Sequence, residues 1–161
     1  MQEVELLVQF CNASTSEQVR VKCIGTLECL AHNKDSTEGN NVCFFSLCYH
    51  VVGTDDGSVQ TIAEYLLTLL PTAAPPPLGV EPLVQAVSAL IDIYSDETWP
   101  YDVNFRQGGY LERLSGSIDS MKKLVKSIDK RKPGGRELRL RGEEVRDNLV
   151  AFVKYRQSLK L

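Results

Sequence analysis

An all-α fold is predicted by three observations. Apolar residues recur at intervals of three and four along most of the chain, the spacing that lines one face of an α-helix. No segment shows the apolar–polar alternation of a half-buried strand. Clusters of Ser, Pro and Gly, which start and stop helices, separate the apolar runs. With 161 residues, 43% of them hydrophobic, the chain can bury one core, so one domain over 1–161 is expected.

The elements follow in order. Residues 3–11 make a short amphipathic helix with no N-cap ahead of it, which suggests the tail of something longer. Ser14, Thr15 and Ser16 precede Glu17 and Gln18, giving capping-box pairs three residues apart. The next helix points Val21, Ile24, Leu27 and Leu30 inward and should end near His32. Residues 33–57, NKDSTEGNNVCFFSLCYHVVGTDDG, interrupt the pattern and read as an irregular insertion. Ser58 is a suitable N-cap for a helix with Ile62, Tyr65, Leu66 and Leu69 on one face, stopped by Pro71. Residues 71–80 are a Pro-rich linker. A helix over 81–94 turns Val84, Val87, Leu90 and Ile93 inward. After an irregular corner and the Gly108-Gly109 pair, a long helix is expected over 110–130. KPGG at 132–135 ends it. A last helix over 136–158 should bury Leu138, Val145, Leu149, Phe152 and Val153.

The helices at Val21 and Val84 share apolar positions at 0, +3, +6 and +9, an internal repeat offset by 63 residues. Removing an insertion of about 20 residues brings that offset into the roughly 40–47-residue period of HEAT and armadillo repeats. A HEAT/armadillo-like helical solenoid therefore fits better than a closed bundle.

The net charge of −3 hides an asymmetry. Residues 122–161 hold 13 Lys and Arg against 5 Asp and Glu, while residues 1–121 hold 5 against 16. Two faces of opposite electrostatic preference follow, if these are more than solvated helix faces. The start of the chain is acidic where a secretory leader would be basic. The most apolar run, 42–52, is shorter than the about 20 residues that span a bilayer, so no membrane role is expected. Five cysteines without framework spacing fit free thiols in a reducing compartment, and a soluble intracellular protein is the expectation.

Chemistry is scarce. Cys23, Cys29, His32, Cys43, Cys48 and His50 gather within 28 residues. They lack the close ligand pairs of structural zinc sites, so core cysteines are the better reading and no metal or other cofactor is expected. Asp92 and Asp96 lie four apart, but no phosphate loop, nucleophile elbow or metalloprotease motif accompanies them, and no enzyme is expected. The basic tail, with Lys130, Arg131 and Lys132 at its centre, is the candidate for nucleic-acid contact. It lacks interleaved aromatics, and several of its arginines alternate with Glu137, Glu143, Glu144 and Asp147, so a solvated face is favoured over RNA contact. The corner at 91–105, IDIYSDETWPYDVNF, differs from all of these. Its carboxylates and aromatics together suit a basic partner, by charge and by cation–π contact. Asp92, Asp96, Glu97, Tyr101 and Asp102 are its candidate contacts, with Trp99 and Phe105 assigned to packing and Pro100 to ending the regular backbone.

The stretches VEPLVQAVSALIDIYSDETWPYDVNFRQGGYLERL and VKSIDKRKPGGRELRLRGEEVRDNLVAFVKYR resemble the C-terminal end of the symportin family, its fungal members above all. The resemblance is carried most by IDIYSDE, YDVNFRQGGYL and IDKRK; it is looser over 19–31 and 61–71, and 33–57 does not fit it. It implies a HEAT/armadillo adaptor and chaperone that brings basic large-subunit ribosomal proteins, those accompanying 5S ribosomal RNA, into the nucleus. It also implies shuttling between cytoplasm and nucleus, with the import receptor bound through a region absent from this chain. Which residues touch cargo rests on the charge argument alone.

Overall fold

The computed structural model describes residues 2–14, 16–33, 56–72, 79–98 and 102–159. Among them are eight helices and no strand: α1 (Gln2–Ala13), α2 (Glu17–Asn33), α3 (Asp56–Thr68), α4 (Glu81–Ile93), α5 (Asp102–Gln107), α6 (Tyr110–Gly116), α7 (Ile118–Lys126) and α8 (Gly135–Ser158). Residues 34–55 of the expected insertion, 73–78 of the linker, and Trp99, Pro100 and Tyr101 lie outside the described residues.

Packing arranges the helices as successive pairs in two layers. α2 lies against α4 and α4 against α8, forming one layer. α1 lies against α3 and α3 against α6, forming the other. α1 pairs with α2, α3 with α4, and α6 and α7 together with α8. Each pair buries its apolar stripes on the next, which is how a repeat stack builds a continuous core. The two helices that share an apolar spacing in sequence, α2 and α4, are direct neighbours within one layer. Ile24, Leu27, Val84, Val87 and Leu90 meet there, each 1% exposed or less, and Leu30 and Ile93 are buried with them. Val21 is only half-buried.

The joints between pairs carry polar contacts spanning long sequence distances. Ser16 caps α2, its Oγ accepting the Val19 N–H at 3.4 Å. Glu17 does not turn back to complete a capping box. Its carboxylate instead accepts the backbone N–H of Glu81 at 3.2 Å, so α2 supplies the anion at the N-terminus of α4. Between the second and third pairs, Glu64 of α3 accepts the Tyr110 hydroxyl at 2.9 Å and Arg113 at 3.4 Å.

Four expectations need correction. The long helix over 110–130 is two helices, broken at Ser117 and ending at Lys126. The Ser117 hydroxyl donates to the Leu114 carbonyl at 2.7 Å, a local bond that competes with the helical ladder, and Gly116 before it favours the break. The corner after α4 is not irregular throughout, since α5 forms within it. The helix expected to start at Ser58 starts at Asp56. Of the residues assigned inward on α8, Val145, Leu149 and Val153 are buried, while Leu138 and Phe152 are half-exposed.

Candidate partner-docking surface

The corner between α4 and α5 is built around a buried ion pair. α8 brings Arg156 beneath the corner, where it is 4% exposed. Its Nη1 donates to Asp102 Oδ2 at 3.0 Å, and its Nη2 donates to Asp102 Oδ1 and, at 2.9 Å, to the carbonyl of Tyr94. The guanidinium lies 4.4 Å from the centre of the Phe105 ring and 5.6 Å from that of Phe152, within cation–π range of both. Phe105 packs in turn against Tyr94 and Tyr110. One side chain thus ties together the end of α4, the start of α5 and the last turns of α8.

Asp102 is 0% exposed and has no face for a partner. The expectation that it docks cargo is corrected: its charge is engaged inside the fold, with Arg106 adding a second contact at 3.4 Å. Tyr101 and Trp99 lie outside the described residues.

Asp96 and Glu97 stand on the outside of the same corner. Asp96 accepts the Thr98 hydroxyl at 2.6 Å and the Thr98 N–H at 2.9 Å, bonds that hold its carboxyl below its ordinary pKa. Glu97 is likewise held low, by its own backbone N–H and by the Tyr155 hydroxyl donating at 2.8 Å. The same bond raises the Tyr155 phenol. Both carboxylates are therefore charged and oriented at neutral pH. Beside Glu97 opens a cleft of about 340 Å³, lined by Phe105, Leu111 and Leu159 together with Arg106, Glu112 and Arg156.

Asp92 is exposed on a different face, where α2, α4 and α8 form one layer. Its carboxyl is hydrogen-bonded to Glu28 of α2. Burial, then this bond and the like charge of Asp92, push Glu28 up to about 7, with Arg141 of α8 pulling the other way. Sequence reading missed Glu28, because nothing in α2 alone shows that a second carboxylate 64 residues away will face it. The acids of 91–105 thus divide three ways, and only Asp96 and Glu97 share an outer surface.

The basic candidates lie far along the chain, on the turn between α7 and α8. Lys130, Arg131 and Lys132 are all exposed, the Arg131 side chain at 95%. Gly134 takes a left-handed φ of 74°, which favours glycine. A methyl on Gly135 would overlap the Asp129 carbonyl oxygen. Asp129 also accepts the Arg131 N–H at 2.9 Å, so the turn is tightly knitted. Cys11 and Cys23 are buried, and Cys29 is half-buried. Cys43, Cys48, His50 and the His32 side chain fall outside the described residues. Among the described residues, no group of three His, Cys, Asp or Glu could hold a metal, and no helix is long and apolar enough to cross a membrane.

Comparison with known proteins agrees with this architecture. A family model described as "SYO1-like, TPR repeats" matches residues 1–160. The armadillo repeat protein involved in nucleocytoplasmic transport Syo2 of Schizosaccharomyces pombe is 35% identical over 100 residues, 62% of this chain and 14% of that protein. Symportin 1 of Chaetomium thermophilum is 33% identical over 139 residues, 86% of this chain and 17% of that protein. The matched stretch is thus about one-sixth of the length of these relatives. HEAT, armadillo and TPR repeats all stack paired helices, the arrangement seen here. With nearly its whole length matched, this chain belongs to the SYO1-like, or symportin, family of helical-repeat proteins.

Proposed function

We propose that this chain is a non-enzymatic docking unit of a nucleocytoplasmic transport adaptor, and that its corner between α4 and α5 receives basic ribosomal proteins of the large subunit, those that accompany 5S ribosomal RNA. The observation that carries the reading is the pair Asp96 and Glu97. Both are charged, oriented by Thr98 and Tyr155, and mounted on a corner clamped by Arg156. Preorganised carboxylates lose little freedom on meeting Lys or Arg, and they attract a basic protein at long range. Phe105, Leu111 and Leu159 in the cleft beside Glu97 offer apolar contact to the stem of such a side chain. The names of the relatives, a transport protein and a symportin, support the adaptor role. The same reading has the protein shuttle between cytoplasm and nucleus, with the import receptor engaged elsewhere in a longer adaptor.

The test is a pull-down from nuclear extract at moderate salt, comparing the wild type with the double variant Asp96→Lys, Glu97→Lys. Enrichment of 5S-associated ribosomal proteins should be lost in the variant while its thermal melting stays unchanged. Capture of other proteins without any ribosomal protein would instead make the chain a general helical-repeat scaffold.

A further inference from the structure

The charges of the C-terminal third divide in a way that sequence alone did not show. On α8 the alternation of signs produces real pairs, Arg139 with Glu143 at 3.3 Å and Arg146 with Asp147 at 3.0 Å. On α7 it does not. Lys122, Lys123 and Lys126 occupy one outer arc of that helix, with Asp119 the only acid beside them, while Met121 and Val125 are buried on the opposite side. Lys130, Arg131 and Lys132 extend the ridge through the turn, and Arg136 continues it onto α8. Among the described residues none of the five lysines forms an ion pair, and Asp129 is taken up by Arg131. Glu137 is the remaining acid of the ridge. Seven cations face three acids, and the glycine turn fixes their spacing.

We propose that α7 and the turn that follows it form a docking surface for double-stranded RNA, held through phosphates and without reading sequence. The ridge exposes no large apolar or aromatic side chain. It therefore offers no stacking platform for single strands, no anchor of the kind that holds protein interfaces, and no wedge for a bilayer. Five of the seven cations are lysines, point charges suited to phosphate; α7 itself carries no Asn, Gln or Arg, and beyond it Arg131 is paired with Asp129. A-form RNA has a deep, narrow major groove whose phosphate rims a row of lysines can bridge without entering it. The major groove of B-DNA, about 12 Å wide, instead admits a whole helix, which reads base edges there. The surface is separate from the acidic corner, and the proposal holds whatever docks there.

The experiment is fluorescence anisotropy of a labelled RNA duplex of about 16 base pairs with the full chain. For about four phosphate contacts, affinity should fall roughly 100-fold between about 50 and about 200 mM salt. Lys122→Gln with Lys126→Gln, and separately Lys130→Gln with Lys132→Gln, should each lower the salt slope by about 2 and weaken all sequences alike. All four side chains are exposed, so melting temperatures should not move. Equal binding of a DNA duplex, equal competition by polyglutamate, or wild-type binding no tighter than that of the quadruple variant would each overturn the proposal.

Discussion

The guanidinium of Arg156 lies among aromatic rings, and only Asp102 and the Tyr94 carbonyl make that position tenable. Removing one member of a buried pair strands the other charge, which costs about 3–5 kcal/mol. Asp102→Ala should therefore destabilise the chain by about that amount in urea unfolding, whereas Arg156→Met combined with Asp102→Leu should recover most of the loss. A double variant as unstable as the single would show that the pair contributes more than mutual neutralisation. The sequence placed Asp102 with Asp96 and Glu97 because three carboxylates in one turn look alike. What separates them is Arg156, 54 residues further on, and no local pattern announces a partner at that distance.

At the level of elements, the stripes of α2, α4 and α8 were legible because burial on one side of a helix repeats every turn. The break at Ser117 was not, since Ile118, Met121 and Val125 keep up the apolar spacing across it. The polar joints were also invisible, being contacts between helices. The joint of α2 with α4 gives a pH dependence. Glu28 faces Asp92 on α4 and Arg141 on α8, with Cys29 beside it on its own helix. Its folded pKa is about 7, raised from an ordinary 4.5. Between those values the folded chain keeps a proton that the unfolded chain has released, so stability falls as pH rises through this window and levels off above it. Glu28→Gln cannot ionise. It should match the wild type near pH 5 and exceed it near pH 8 by on the order of 1–2 kcal/mol, because the site is partly open to solvent. Thermal melts at the two pH values measure the difference. A variant less stable than the wild type at both would mean that the carboxylate, not the proton, holds the joint.

For the whole molecule, stacking in pairs makes stability a sum of neighbour contacts. The central position belongs to α4, which packs against α2 and α8 within its layer and against α3 of the other layer. It buries seven of its thirteen residues. Among the described residues, α1 packs against α2 and α3 and leaves Leu6 and Phe10 more than half exposed. Opening α1 breaks, among the described residues, its packing on α2 and α3, whereas opening α4 breaks packing on α2, α3 and α8. Amide hydrogen exchange should therefore show a gradient, slowest in α4 and the facing turns of α2 and α8, fastest in α1. The same gradient bears on docking. The corner with Asp96 and Glu97 hangs directly from the end of α4 and is clamped by α8, so its carboxylates should stay in place while α1 opens and closes. Protection that is uniform along the chain would mean that the pairs unfold as one cooperative block. In that case, a lesion anywhere in the stack would loosen the corner as much as one in α4.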